Sequence, residues 1–298
     1  MKSGKVEALI TYNVNPSYSF HNANEFNQAL KNVNLKISTS LYNDETAYLM
    51  DYVCPDNHNL ESWGDAKPKH GTYSLMQPTI SPLFNTRQFQ ESLLVWLGKS
   101  DYQSYLKNYW TKKGVDWHKS LHDGYFGINE NPIRISNFVN RSVSISKKES
   151  NAIELEVYES VALGDGKLAN NPWLQELPDP LTRACWDNYL TISASTAEKL
   201  GLSNWTVSSG AMNGSLVDIS AGDKTLKNVP VLISPGQAQS TVGMAIGYGR
   251  TRAGKAGDNV GFNAYPFLNE KEVEIKKVEG EYEFASIQLH HTMMGRDI

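Results

Sequence analysis

The side chains best equipped for chemistry are concentrated in two short stretches. The first, CPDNHNLESWGD, runs from Cys54 to Asp65 and carries a thiol, an imidazole and three carboxylates. A metal centre is one chemistry to consider. Cys54 and His58 are four apart, which on a helix would put them on one face. Pro55 disfavours helix at Cys54, however, and Asp56, Asn57 and Asn59 favour a turn. Zinc would still want about two further well-spaced ligands. A cysteine nucleophile is another, with His58 or His70 as its base, but no flanking signature supports it. The remaining reading is the end of a strand or helix, then a turn and a short helix, with the thiol buried as a small apolar group.

The second stretch is GYGRTRAGKAG, in which Gly247, Gly249, Gly254 and Gly257 sit among Arg250, Arg252 and Lys255. Glycines let backbone N–H groups approach an anion, and the cations would neutralise it. The pattern is not that of a phosphate-binding P-loop, and no predicted strand leads from it into a helix. Both an anion site and a flexible loop remain open. Near the end of the chain, His290 and His291 are adjacent. On a strand they point to opposite faces, so one metal ion could not take both without distortion. The nucleophile elbow G-x-S-x-G is absent from the sequence. No constellation by itself makes this chain an enzyme.

The elements that must position these groups follow from periodicity. VEALITYNVNP predicts a strand closed by a turn at Asn15–Pro16. NEFNQALKNV predicts a helix with Phe26, Leu30 and Val33 on one face and Asn24 as cap. NLKISTSLYN predicts a second strand. DETAYLMDYV predicts a second short helix capped by Asp44, with Thr46, Leu49, Met50 and Val53 along one side. The alternation argues for a parallel α/β unit. After an extended loop rich in Xaa-Pro, a helix is expected with Phe89, Leu93, Trp96 and Leu97 on one face and Gly98 as its stop. SDYQSYLKNYW predicts another, with a stripe of Tyr102, Tyr105, Leu106 and Tyr109 packing into a core. Residues 131–150 are polar and irregular and read as a linker between domains at 1–130 and 151–298. In the second domain, AIELEVYES alternates as a strand. ASTAEKLGL reads as one helix capped by Ser193 or Ser195 and stopped by Gly201. LGDGKLANNPWLQELPDPLTR reads as a long loop, and NWTVSS, SLVDIS, KNVPVLISPG and ASIQLHH are strand-like, which describes a small barrel carrying one helix.

Bulk composition sets the outer bounds. The chain has 298 residues, 40% of them apolar and 20% charged, so a sizeable core can form. A net charge of -4 offers nothing to attract nucleic acid or an anionic membrane in bulk. Two cysteines, Cys54 and Cys185, give no disulfide framework and are too few for an iron–sulfur cluster, which wants about four thiolates. No apolar window approaches a membrane span, and the apolar run from Val6 to Tyr12 is too short for a signal peptide. The start, directly on a buried-strand pattern, is also what the interior of a longer protein would look like.

Several segments taken together carry a resemblance. These are ALITYNVNPSY, YVCPDNHNLESWGD, QPTISPLFNTRQFQESLL, LGDGKLANNPWLQELPDPLT, WDNYLTIS, SPGQAQSTVGMAIGYGRTRAGKAGDNVGFNAYP and HHTMMGRD. In this order, along nearly the whole chain, they resemble the large iron–sulfur/molybdopterin-like subunit of alternative complex III, a bacterial membrane quinol:cytochrome c oxidoreductase, in its Bacteroidetes-type form. More distantly, Val53, Pro55, Glu61, Trp63 and Gly64 echo the VLP…E…WG element of molybdopterin oxidoreductases. NYLTISASTAEKLGL is similar to the start of the double-psi β-barrel in those enzymes.

The resemblance implies a fold of α/β plus β class: a partial parallel α/β domain followed by a double-psi β-barrel. It assigns no metal ligand to the Cys54 stretch. It makes Gln237, Gly247, Gly249, Arg250, Arg252 and Gly254 candidates for a cofactor-binding loop, vestigial in this chain. The earlier half of the pterin fold and the molybdenum ligand are lacking, and Ile298 falls before the segment of clustered cysteines in the family. The implied role is therefore a scaffold with no catalytic residue, no metal and no molybdopterin in this segment. The iron–sulfur clusters are expected downstream. Its partners would be cytochrome, iron–sulfur and membrane quinol-oxidising subunits on the periplasmic side of the inner membrane, with the membrane reached only through those partners. Two rivals stand beside it. One is a fragment of a molybdopterin enzyme that binds the nucleotide end of the cofactor through Gly247–Gly257 and Gln237. The other is a free-standing module for a small ligand.

Overall fold

Three short parallel strands open the chain: β1 (Ala8–Thr11), β2 (Leu35–Ser38) and β3 (Tyr52–Val53), in the order β1-β2-β3. The computed structural model describes residues 1–99, 101–132, 140–142, 152–208 and 210–287. Between β1 and β2 run the one-turn helix α1 (Pro16–Ser19) and α2 (Ala23–Leu30). Pro16 at the start of α1 presets φ where no hydrogen bond is lost. Helix α2 starts after Asn22 rather than Asn24, and buries Ala29 and Leu30.

The helix expected over 44–53 is absent. Asp44 does act as a cap, its Oδ1 accepting from the N–H of Thr46 and Ala47, but only a 3-10 turn at Ala47–Leu49 comes after it. Tyr52 and Val53 then pair in parallel with Ile37 and Ser38. Pro55 bars helix continuation, and the ladder with β2 satisfies the backbone instead.

A three-stranded antiparallel sheet comes next: β4 (Gly64–Lys69), β5 (Thr72–Met76) and, after three helices, β6 (Tyr125–Gly127). The helices are α3 (Phe89–Trp96), α4 (Tyr102–Lys112) and α5 (Trp117–Asp123). Leu75 and Phe126 from the sheet, Leu106 and Trp110 from α4 and Trp117 from α5 form a common core. Most of the stripe expected on α3 faces solvent, with only Phe89 half-buried and stacked on Tyr12. Leu93, Trp96 and Leu97 are exposed, and the buried residue of α3 is Leu94. Along α4, Leu106 and Trp110 are buried while Tyr105 and Tyr109 stay exposed.

The barrel uses β7 (Ile153–Glu159), β8 (Leu190–Ile192), β9 (Asn204–Thr206), β10 (Met212–Ala221), β11 (Lys224–Ile233), β12 (Thr241–Ile246) and β13 (Glu272–Phe284). Two short helices lie between these strands, α6 (Pro172–Gln175) and α7 (Ala194–Lys199). The order β11-β8-β12-β7-β13-β10 closes when β10 pairs back onto β11, and β9 extends the edge of β10. Six strands thus form a closed barrel, and closure removes the open edges. Two pairs are parallel, β7 with β12 and β8 with β11, within an otherwise antiparallel ring. This is the α/β plus barrel architecture read from the sequence, and it agrees with the double-psi type that the resemblance implies.

Leu190, Ile192, Val217, Val229, Val231 and Val242 are fully buried in the barrel interior. Each such side chain contributes roughly 1.5–3 kcal/mol relative to exposure. Ser193 caps α7 by accepting from Thr196 N–H, and Gly201 ends it at φ +67°. No helix among the described residues is long and apolar enough to cross a membrane.

Candidate functional site

The loops that leave the carboxyl ends of β1 and β2 form one wall of a cleft of about 620 Å³. Asn13 and Asn15 come from the first loop, Tyr18 from the one-turn helix α1 that follows it, and Ser40, Tyr42 and Asp44 from the second loop. The opposite wall belongs to the barrel, through Asp165, Lys167, Trp173 and Arg250. Clefts at the carboxyl ends of parallel strands are where α/β folds bind ligands, and this one has ligand-sized volume.

At the floor, Arg250 is 5% exposed and faces Glu45 across the two parts of the chain. Arg250 Nε donates to Glu45 Oε1 at 2.9 Å and Oε2 at 3.1 Å, and Nη2 donates to Oε2 at 2.8 Å. The N–H groups of Thr251 and Arg252 reach Oε1 at 2.8 and 3.0 Å. Asn15 Nδ2 donates to Oε2 at 2.7 Å. Asn15 is itself held, because its Oδ1 accepts from Thr46 N–H and Oγ. Arg250 also gives Nη1 to the carbonyl of Gly166 at 2.6 Å and lies over the Tyr18 ring at 4.7 Å. Tyr18 Oη donates to the carbonyl of Tyr248.

The electrostatics derive from these contacts. Burial alone would raise the Glu45 pKa, but hydrogen bonds from Arg250 and Asn15 outweigh it and hold the carboxyl at about 2, against an ordinary 4.5. Burial works against the charge of Arg250 too, yet the Glu45 carboxylate moves it above its usual value. Tyr18 and Tyr265 are pushed up, mainly by burial, Tyr265 to about 12.

Of the six candidate loop residues, five lie together. Gly247 comes just after β12 and packs against Gly164 and Gly166. Gly249 sits at φ +68°, and a Cβ there would lie 2.0 Å from the Asn263 nitrogen, so only glycine fits. Arg252 places its guanidinium over the Tyr48 ring at 3.7 Å and donates Nε to the carbonyl of Asn43. Gly254 donates its N–H to Asp258 Oδ1, as does Ala253. Gln237 stands apart. Its Nε2 donates to the carbonyls of Thr191 and Thr241, bracing β8 against the opposite end of β12.

This loop therefore has the donors of an oxyanion site, and two carboxylates and an amide oxygen of the chain itself already accept from them. Thr251 and Arg252 serve Glu45, Ala253 and Gly254 serve Asp258, and Ala256 N–H donates to Asn170 Oδ1. The N–H groups from Thr251 to Gly254 thus all have acceptors within the chain.

The Cys54 stretch is absorbed by local structure. His58 accepts from Leu60 N–H, Glu61 from His58 and Leu83, and Asp56 from Asn57 and Phe89. Trp110 Nε1 donates to Asp65 at 2.8 Å. Cys54 itself is exposed, not buried as expected; it follows β3, the edge strand of its sheet, whose two residues are also exposed. Among the described residues, no three His, Cys, Asp or Glu side chains converge to hold a metal ion. His290 and His291 lie outside the described residues, as does most of 131–150.

No protein-family model matches the chain. The chain is similar to a molybdopterin-binding-like subunit. This relative is the molybdopterin-binding-like subunit of menaquinone reductase from Nitratidesulfovibrio vulgaris (strain Hildenborough), 25% identical over 267 residues. The match covers 84% of this chain and 37% of the relative, so the chain spans little more than a third of that protein's length. Among solved structures, acetylene hydratase from Pelobacter acetylenicus aligns with a TM-score of 0.62 at 15% identity. That alignment covers 91% of this chain and 44% of the hydratase, and it is a likeness of fold.

Sequence reasoning picked out the loop but missed Glu45, Asn15, Tyr18 and Asp258 as its partners. Asp258 lies close by in sequence and could have been suspected. Glu45 is 205 residues from Arg250 and carries no local signal.

Proposed function

We propose that the chain is a non-catalytic scaffold portion of the iron–sulfur/molybdopterin-like subunit of a membrane quinol:cytochrome c oxidoreductase of the alternative complex III type. The observation that carries this reading is the Glu45 carboxylate seated among the donors of the glycine–arginine loop. A loop saturated from within keeps the α/β part docked on the barrel without a cofactor, which is what a scaffold needs. Similarity to a subunit named molybdopterin-binding-like, within a menaquinone reductase, supports an oxidoreductase-related role.

On this reading the iron–sulfur clusters reside in a further part of the subunit and this segment carries no molybdopterin. Its neighbours are cytochrome, iron–sulfur and quinol-oxidising membrane subunits on the periplasmic side of the inner membrane. The test is a reduced-minus-oxidised visible spectrum of the complex that co-purifies with the tagged subunit from native membranes. Sharp c-type haem bands are expected. A folded subunit recovered without haem-bearing partners overturns the proposal.

The 620 Å³ cleft favours one alternative, a fragment of a molybdopterin-dependent oxidoreductase that holds the nucleotide end of the cofactor. Stoichiometric molybdenum and pterin in the same preparation would select it.

A further inference from the structure

We infer that the Gly247–Gly257 loop is an oxyanion site whose ligand is intramolecular. The Glu45 carboxylate stands in for a phosphate group, and removing it uncovers a site for phosphate or pyrophosphate. This deepens the proposed scaffold role and rests on it only in taking the wild-type loop to hold no nucleotide.

The geometry points this way for three reasons. First, the donor set is that of an anion nest rather than of an ordinary ion pair. Two consecutive backbone N–H groups, a guanidinium and an amide converge on one carboxylate, with distances of 2.7–3.1 Å. Consecutive N–H groups aimed at one point, with an arginine fork beside them, are the donors that phosphates recruit. Second, the ligand comes from elsewhere in the chain. Glu45 belongs to the loop after β2 and Arg250 to the loop after β12, 205 residues later, so the carboxylate is delivered by the docking of one part on the other. Third, the site opens onto the cleft, which Arg250 and its neighbour Asn15 both line. An anion arriving from solvent has a path once the carboxylate is gone.

The built-in carboxylate competes at the effective concentration of an intramolecular ligand, of millimolar order or more. That is why free oxyanions should not displace it in the wild type. Asp258, which takes the N–H groups of Ala253 and Gly254, closes the rest of the loop and leaves only the Glu45 position to vacate.

The experiment compares the full chain with Glu45→Ala and with the double variant Glu45→Ala/Arg250→Met, using inorganic pyrophosphate as the probe at low salt. Binding is read by calorimetry and by 31P line broadening. Glu45→Ala should bind one pyrophosphate per chain, about tenfold or more tighter than the wild type. The double variant should lose that binding. If Glu45→Ala folds and binds no better than the wild type, or if the wild type binds equally well, the inference fails. If Glu45→Ala does not fold alone, pyrophosphate should restore its folding by binding the native state, and absence of rescue also overturns it. Pyrophosphate binding by wild-type protein whose complex shows haem bands would defeat this inference and leave the proposed function standing. The converse pattern would defeat only the proposed function.

Discussion

Replacing Glu45 with glutamine removes a charge and keeps the volume, so it isolates what the ionised carboxylate contributes. The magnitude can be worked from two sides. A carboxyl held at about 2 rather than 4.5 has its ionised form favoured in the native state by ~3 kcal/mol. Breaking a buried ion pair by removing one partner costs about 3–5 kcal/mol, and here the two side chains are 10% and 6% exposed. The lower end applies, because glutamine still accepts from part of the donor set. Glu45→Gln should therefore lose about 3 kcal/mol near neutral pH. The depressed pKa sets the sign of the pH dependence. The contribution is fully present above the unfolded value of about 4.5 and is lost as pH falls towards about 2. The gap between wild type and variant should shrink across that window. Glu130, also held at about 2 by Lys67 and Tyr73, is present in both proteins and cancels from the difference. Urea unfolding of both proteins at a series of pH values measures the gap. A loss under about 1 kcal/mol at pH 6, or a gap that does not narrow on acidification, would refute the reasoning.

Two further substitutions test the frame around the loop, and a third, in the β10–β11 turn, serves as their control. Asn188 is buried and donates Nδ2 to the carbonyls of Ala245 and Phe262 while its Oδ1 accepts from Phe262 N–H. Asn188→Ala should lower stability by about 2 kcal/mol or more, seen as a lower urea midpoint with an unchanged slope; an unshifted midpoint would mean water replaces the side chain freely. Gly249→Ala should fail to fold or melt far lower, since φ is +68° and the added Cβ meets backbone at 2.0 Å. Gly222→Ala, in the open β10–β11 turn at φ +62°, should cost only about 1–2 kcal/mol. Equal thermal shifts for the two would show that conformation alone, not close approach, constrains Gly249.

Legibility differed along the chain for physical reasons. Strands β1, β2 and β7 and helices α2, α4 and α7 announce themselves by apolar spacing and punctuation, which are local. Residues 44–53 misled because Asp44 is a genuine cap, while pairing with β2 decides the backbone conformation beyond it. The α3 stripe misled in another way: Leu93, Trp96 and Leu97 have helical spacing, but spacing does not say which face finds a partner. Helix α5 and strands β12 and β13 went unread. Strand β12 is buried almost throughout, which erases alternation. Strand β13 is long, charged and bulged near Gly280.

By itself, the sequence determined the class of the fold, the cap and stop of α7 and the gathering of glycines and basic residues from Gly247 to Gly257. These depend on residue types a few positions apart. Only the tertiary structure decided what answers that loop. Barrel closure carries Arg250 to one side of the cleft, and the parallel sheet delivers Glu45 to the other. The meeting of two charges 205 residues apart depends on the docking of two surfaces. No spacing in the chain encodes it, because burial, which makes the pair strong, exists only once the chain has folded.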